Sequence, residues 1–310
     1  MLFRSGGIFK NSNYNRINVR FIADLNIFSW FNMEVNANLS NNNSSLKESA
    51  VSPQTNPVTT SLSKPPILSP YQYDEKGQRL TLIDEVDELG TSNPLAVIEN
   101  FIGENKNYRF LSSIKGHADI SETLKFNLLL GLNLNTMKES VFMPNKGMEM
   151  YYNGEAHSIT QYTFNQLFSF FADSYLDYSK QFGATHQFNS MLGFRIHSSS
   201  LQVDIGETMN LPENDEYKTL SSGQSDLRRA IGNNARWNWL AVYHRINYKL
   251  RDTYILNTGL SADFSTRLGD DARTPIQLFD LPFGLFYSIG AGWRISNENF
   301  LKNVNGLENL

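Results

Sequence analysis

The side chains that most often do chemistry are present in this 310-residue sequence, but not at working spacings. The five histidines, His117, His157, His186, His197 and His244, form neither an H-E-x-x-H pattern nor a close i,i+2 pair. They predict no zinc site and read as wet-face or loop residues. The acidic run Asp84, Glu85, Asp87 and Glu88 is interrupted by Val86 and has no glycine at calcium-loop spacing, so it reads as a solvated charge run. No nucleophile elbow, phosphate loop or dinucleotide fingerprint stands in a strand-turn-helix setting. Cysteine is absent, which removes a thiol nucleophile, a thiolate-bound metal and a disulfide frame. The reading is therefore no enzyme, no cofactor and no metal.

Recognition chemistry remains. Tyr71, Tyr73, Tyr151 and Tyr152 lie in polar stretches, where a rigid amphipathic ring can stack on a sugar or pack against a rim or a partner protein. A net charge of -4 gives no electrostatic ground for a nucleic-acid partner.

The elements that would carry these residues are strands. Aromatic residues make up 13% of the chain and hydrophobic residues 40%, and the apolar positions are dispersed with period two. Ile17, Val19, Phe21, Ala23, Leu25 and Ile27 alternate with Arg16, Asn18, Arg20, Asp24 and Asn26, and the pattern resumes from Phe31 to Leu39. Leu2 to Lys10 is a weaker candidate for the strand before them. Leu124, Phe126, Leu128, Leu130, Leu132 and Leu134 oppose Lys125, Asn127, Gly131, Asn133 and Asn135. A strand read from Leu176 to Ile196 far exceeds the usual length of about 5–6 residues. From Leu285 to Ile295 every second residue is apolar or aromatic, with Tyr287 and Trp293 near the two ends of the greasy face. Such a strand suits a barrel wall crossing an apolar layer, and equally a two-layer sandwich.

Connections separate the two. Short turns at Ile27/Phe31, Ile120/Leu124, Ala172/Leu176 and Leu250/Tyr254 alternate with long links at approximately 41–106, 138–156 and 198–234. Outer-membrane barrels alternate this way, with short turns inside the cell envelope and long loops outside. Within the first link, Ser92-Asn93-Pro94 reads as the capped start of a short helix. No run reaches the roughly 18 apolar residues of a spanning helix, so a crossing would be by strands. Met1 to Gly7 lacks the apolar core of a signal peptide, which leads to the expectation that the chain is an internal piece of a longer polypeptide.

Two segments carry a family resemblance. Tyr243-His244-Arg245-Ile246-Asn247-Tyr248-Lys249-Leu250-Arg251-Asp252-Thr253-Tyr254-Ile255-Leu256 and Pro282 to Asn303, with Gly284, Gly292, Trp293 and Arg294, resemble motifs of the SusC/RagA family of TonB-dependent outer-membrane transporters. Ser265-Thr266-Arg267-Leu268-Gly269 is similar to a third. Tyr287 stands where that family usually has proline. The resemblance implies an all-β fold, an antiparallel transmembrane barrel segment of roughly ten long strands from a barrel of about 22. It also implies a plug, a TonB box in a missing N-terminal region, a SusD-like lipoprotein partner, outer-membrane lipid around the barrel, and an oligosaccharide or peptide substrate. Arg245, Asn247, Tyr248, Tyr254, Arg267, Gly269, Gly284, Gly292, Trp293 and Arg294 are its structural motif residues. Two alternatives stay open: a stand-alone adhesin-like or porin-like barrel, and a soluble β-sandwich carbohydrate-binding module.

Overall fold

A computed structural model describes residues 2–7, 10–47, 56–83, 92–144, 156, 158–212, 218–268, 276–278, 281–298 and 300–301. Strand β1 (Leu2–Gly6) precedes β2 (Asn13–Phe28), β3 (Phe31–Leu46), helix α1 (Pro57–Ser63), β4 (Tyr71–Tyr73), β5 (Arg79–Ile83) and helix α2 (Pro94–Asn100). Then come β6 (Ile102–Asp119), β7 (Leu124–Pro144), β8 (Ser158–Phe182), β9 (His186–Met209), β10 (Arg229–Leu250), β11 (Tyr254–Ser265), β12 (Ile276–Leu278) and β13 (Leu281–Trp293). Eleven of the strands form one sheet in the order β1-β2-β3-β6-β7-β8-β9-β10-β11-β13-β12, while β4 and β5 pair separately. Every pairing is antiparallel between chain neighbours, save that the long excursion between β3 and β6 is bypassed and β13 lies between β11 and β12. Among the described residues the two ends of the sheet do not meet.

Because side chains alternate across a strand, the register sorts the sequence pattern into two faces. Ala23, Val35, Ile114, Leu130, Ala172, Ile196, Leu240 and Phe264 are successive partners across eight strands, forming one continuous apolar row. Adjacent rows on that face carry Leu25, Met33, Leu128, Phe194 and Val242 on one side and Phe21, Leu132 and Phe170 on the other. No second layer covers them: Phe21 is 59% exposed and Leu192 is 52% exposed. On β7 this apolar band runs from Leu124 to Leu134, close to the 9–11 residues with which a tilted strand crosses a bilayer. Above it the same face turns polar with Thr136, Lys138 and Ser140, so the 25-residue β8 and its neighbours project well past the band.

One turn lies elsewhere than the sequence predicts. Ala172-Asp173-Ser174 reads as a turn because Asp and Ser are turn formers, yet β8 runs straight through it and turns at Gly183-Ala184-Thr185, with Gly183 at φ +60°. The two faces survive the shift, since Ala172 and Leu176 both stay on the apolar side. The other short turns fall where the spacing puts them, and at Arg251-Asp252 both residues take positive φ, the backbone of a tight hairpin. The strands also run into the three long links: β3 ends at Leu46, β7 at Pro144 and β9 at Met209, and β10 starts at Arg229. Their polar composition hid this strand structure.

The buried core sits at the long-loop end. Val97 and Phe101 are fully buried against Val141, with Leu46 and Met143 beside them, and Ala156, Ile159 and Met209 form a second cluster. Helix α2 starts as the sequence predicts, with Pro94 at its first position and Asn93 capping Leu95 N. The buried Asn93 also donates to Pro70 O at 2.9 Å, and Glu99 takes an ion pair from Lys10 at 2.7 Å. The described part of the first long link is therefore a folded cap fixed to the sheet rim. No helix among the described residues is long and apolar enough to cross a membrane, which bears on helices alone.

Candidate functional site: the polar face of the sheet

The polar face is built from cross-strand partners. Asp24, Glu34, Lys115, Leu129, Asp173, Arg195, Ala241 and Asp263 are successive register partners, a charged row beside the apolar row on the opposite face. Lys115 Nζ donates to both Glu34 oxygens at 3.0 and 3.1 Å. Asn105 donates to Glu139 at 2.9 Å, and His117 Nδ1 lies 2.8 Å from Asn127 Oδ1. A hollow of about 520 Å³ runs along Asp24, Glu34, Lys115, His117, Asn127 and Tyr175.

Its most enclosed feature centres on Asp173, which is 8% exposed. Arg195 donates to Asp173 Oδ2 from Nε at 3.0 Å and from the terminal nitrogen at 2.6 Å, and the Tyr243 hydroxyl donates to Oδ1 at 2.8 Å. A buried carboxylate costs several kcal/mol unless its oxygens are paired in this way. The reach of Tyr243 depends on a glycine. Tyr243 is the register partner of Gly193 on β9, and a Cβ at residue 193 would lie 2.1 Å from the ring of Tyr243. The ring therefore lies across β9 to meet a carboxylate on β8.

Aromatic rings crowd the same face. His197 and Trp237 have centroids 4.6 Å apart, Phe171 meets His197 edge-on at 6.0 Å, and the Arg267 guanidinium sits 4.6 Å over Trp237. Arg195 faces the rings of Tyr243, Trp239 and Phe171 at 5.3, 5.7 and 5.8 Å. A hollow of about 770 Å³ lies elsewhere, on the polar extension of the other face near Lys106, Lys138, Tyr162 and Phe164.

Of the loop tyrosines, Tyr71 is half-buried under the Arg79 guanidinium at 4.0 Å, and Tyr73 is exposed on the β4–β5 hairpin. Tyr151, Tyr152, the acidic run and Gly269 lie outside the described residues. The motif residues divide into two groups. Arg245 and Asn247 point to the polar face, as does Arg267 through its stacking on Trp237, whereas Tyr248 is on the apolar side with its hydroxyl 2.6 Å from His186. Tyr254, Trp293 and Arg294 converge at the short-turn end. There the Tyr254 hydroxyl donates to Glu298 at 2.6 Å, Trp293 Nε1 donates to the same oxygen at 3.1 Å, and Arg294 pairs with Asp252. Gly284 packs against the Phe286 ring and Gly292 against Ile255. The two most family-like segments are thus clasped together in space.

The histidines do not all lie where the alternation suggests. His244 stands among Leu192 and Leu260 on the apolar face, satisfied by Ser190 Oγ at 2.8 Å. Among the described residues no group of His, Asp and Glu is placed to hold a metal ion. Sequence reasoning missed Asp173 by taking it for a turn; the unbroken period of Phe168, Phe170, Ala172, Ser174 and Leu176 was the signal that it belongs inside a strand.

No family model matches the chain. Curated relatives do: TonB-dependent receptor P39 of Formosa agariphila is 25% identical over 227 residues, 72% of this chain and 20% of the relative. TonB-dependent receptor SusC of Bacteroides thetaiotaomicron is 27% identical over 235 residues, 70% of this chain and 20% of that protein. Among solved structures, the RagAB peptide transporter superposes with a TM-score of 0.74 at 17% identity, over 95% of this chain and 31% of that one. The RagAB peptide importer in its closed-closed state gives a TM-score of 0.72 at 16% identity. The chain spans about a fifth of the length of the curated relatives it matches. Sequence and fold point the same way: the chain is similar to a portion of TonB-dependent receptors, SusC among them, and its sheet has the fold of a portion of the RagAB transporter.

Proposed function

We propose that this chain forms part of the wall of an outer-membrane, TonB-dependent importer of glycans or peptides that works with a SusD-like surface lipoprotein. The observation that carries the reading is the uncovered apolar row from Ala23 to Phe264, backed across the same strands by a row of charged and polar residues. A sheet with a dry exposed face about one bilayer tall and a wet opposite face is what a lipid-facing barrel wall requires. A soluble sandwich would bury that face under a second sheet. On this reading the polar face lines the lumen and the folded cap of α1, α2 and the β4–β5 hairpin faces outward. Tyr71 and Tyr73 then stand on the side where substrate and lipoprotein arrive.

The absence of cysteine from these 310 residues makes a direct test available in the full-length protein, with any cysteine elsewhere in it replaced by serine. Ser221→Cys in a long connection should react with a membrane-impermeant maleimide in intact cells, whereas Glu122→Cys in a short turn should react only after the outer membrane is permeabilised. Equal labelling of both positions in intact cells would refute the orientation and the membrane reading with it.

A further inference from the structure

We propose that the hollow between β10, β11 and β13 on the polar face is a carboxylate-binding site with Arg245 as its cation. The hollow has a volume of about 270 Å³ and is lined by Arg195, Trp239, Arg245, Ser261, Asp263 and Ser288, among others. Two guanidinium groups flank the Tyr243 ring, Arg195 at 5.3 Å and Arg245 at 5.9 Å. They differ in one respect. Arg195 is neutralised by the buried Asp173, while Arg245 is exposed and, among the described residues, has no carboxylate in ion-pair contact.

Register places a hydroxyl on the same row. Arg245 is the partner of Gly259, and Gly259 of Ser288. A Cβ at residue 259 would stand 2.7 Å from Ser288 Oγ. Glycine at 259 therefore lets the Ser288 hydroxyl lean over β11, so that a guanidinium and a hydroxyl both border the hollow. A planar monoanion fits that pair, since the Arg fork donates two parallel hydrogen bonds and a serine hydroxyl can donate a third. Asp263 sets the charge. It already accepts from Ser261 Oγ, and its negative charge in the same hollow repels a dianionic phosphate about twice as strongly as a carboxylate.

The carboxylate has two sources, an incoming solute or an acidic side chain elsewhere in the same longer polypeptide. The inference rests on the barrel-wall reading, because only a lumen-facing Arg245 would meet either. The test uses purified full-length receptor, wild type and the variants Arg245→Gln and Arg245→Lys, probed with tetraglutamate and tetraglutamine. If the carboxylate arrives on a solute, the wild type binds tetraglutamate about tenfold more tightly than tetraglutamine, Arg245→Gln loses that preference and Arg245→Lys keeps part of it. If the receptor supplies it, Arg245→Gln lowers the melting temperature of the ligand-free protein, Arg245→Lys restores it, and added salt destabilises only the proteins that keep the charge. Unchanged preference together with unchanged, salt-independent stability would overturn the proposal. Fractionation of the wild type, which reports whether the receptor resides in the outer membrane, tests the parent reading separately.

Discussion

At the residue scale, the chain is read most directly through pairs of positions that differ only in face. Leu130 sits in the continuous apolar row and Asn133 on the opposite face, where Arg109 Nε donates to it at 3.3 Å. With the protein folded in lipid, Leu130→Arg should cost about 2–4 kcal/mol, as a cation near the bilayer midplane does, and Asn133→Arg should be tolerated. Equal costs in a denaturant titration would contradict the assignment of faces. The Asp173 cluster makes a second prediction. Gly193→Ala forces a methyl into the space of the Tyr243 ring and should destabilise by about 1–3 kcal/mol, the usual range for overpacking. Most of that loss should vanish in a Tyr243→Ala background, because the three nearest atoms to the added methyl all belong to Tyr243. Additive losses in the double-mutant cycle would show that Gly193 matters for another reason.

At the scale of elements, the short-turn end is held by side chains rather than by the sheet alone. After β13 the backbone leaves the strand, Arg294 N donates to Thr253 O at 2.7 Å, and a single turn of 3₁₀ helix brings Glu298 back to Tyr254 and Trp293. Glu298→Ala should therefore speed hydrogen exchange at Tyr254 and Arg294 while leaving the middle of β8 unchanged, since local opening follows local contacts. Uniform acceleration over the whole sheet, or none, would argue against a local clasp. The outer cap is also an element in its own right. Its hydrophobic anchor is Phe101 with Val97, so deletion of the β4–β5 hairpin, residues 71–83, should spare barrel assembly in the full-length protein and weaken capture of the lipoprotein partner or substrate. Intact capture after the deletion, measured by co-purification and uptake, would place recognition elsewhere.

At the scale of the whole molecule, the 11-stranded sheet has, among the described residues, unpaired edges at β1 and along β13, where Tyr287 is 83% and Ile289 79% exposed. Unpaired backbone at a sheet edge invites association with other chains, and in hydrocarbon each unpaired group costs several kcal/mol. The isolated 310-residue chain should accordingly aggregate in buffer or require detergent. A monodisperse monomer unfolding cooperatively without detergent would be incompatible with the exposed apolar row and would return the weight to a soluble module.

Periodicity alone determined the all-β class, the two faces and most short turns, because side-chain alternation is local and a one-residue slip would turn Leu128, Leu130 and Leu132 from the dry side to the wet one. Cap chemistry likewise announced α2, since Asn93-Pro94 acts within one turn of chain. Only the tertiary structure decided which polar residues meet. Asp173 lies 22 residues from Arg195 and 70 from Tyr243, and its Asp-Ser context favours a turn until the neighbouring strands supply three donors. The clasp between Asp252 and Arg294, the anchoring of α2 at the sheet rim, and the approach of the Ser288 hydroxyl to Gly259 on the row of Arg245 have the same origin. Each depends on interstrand register, which is fixed by pairings between distant segments and leaves no mark in the local sequence.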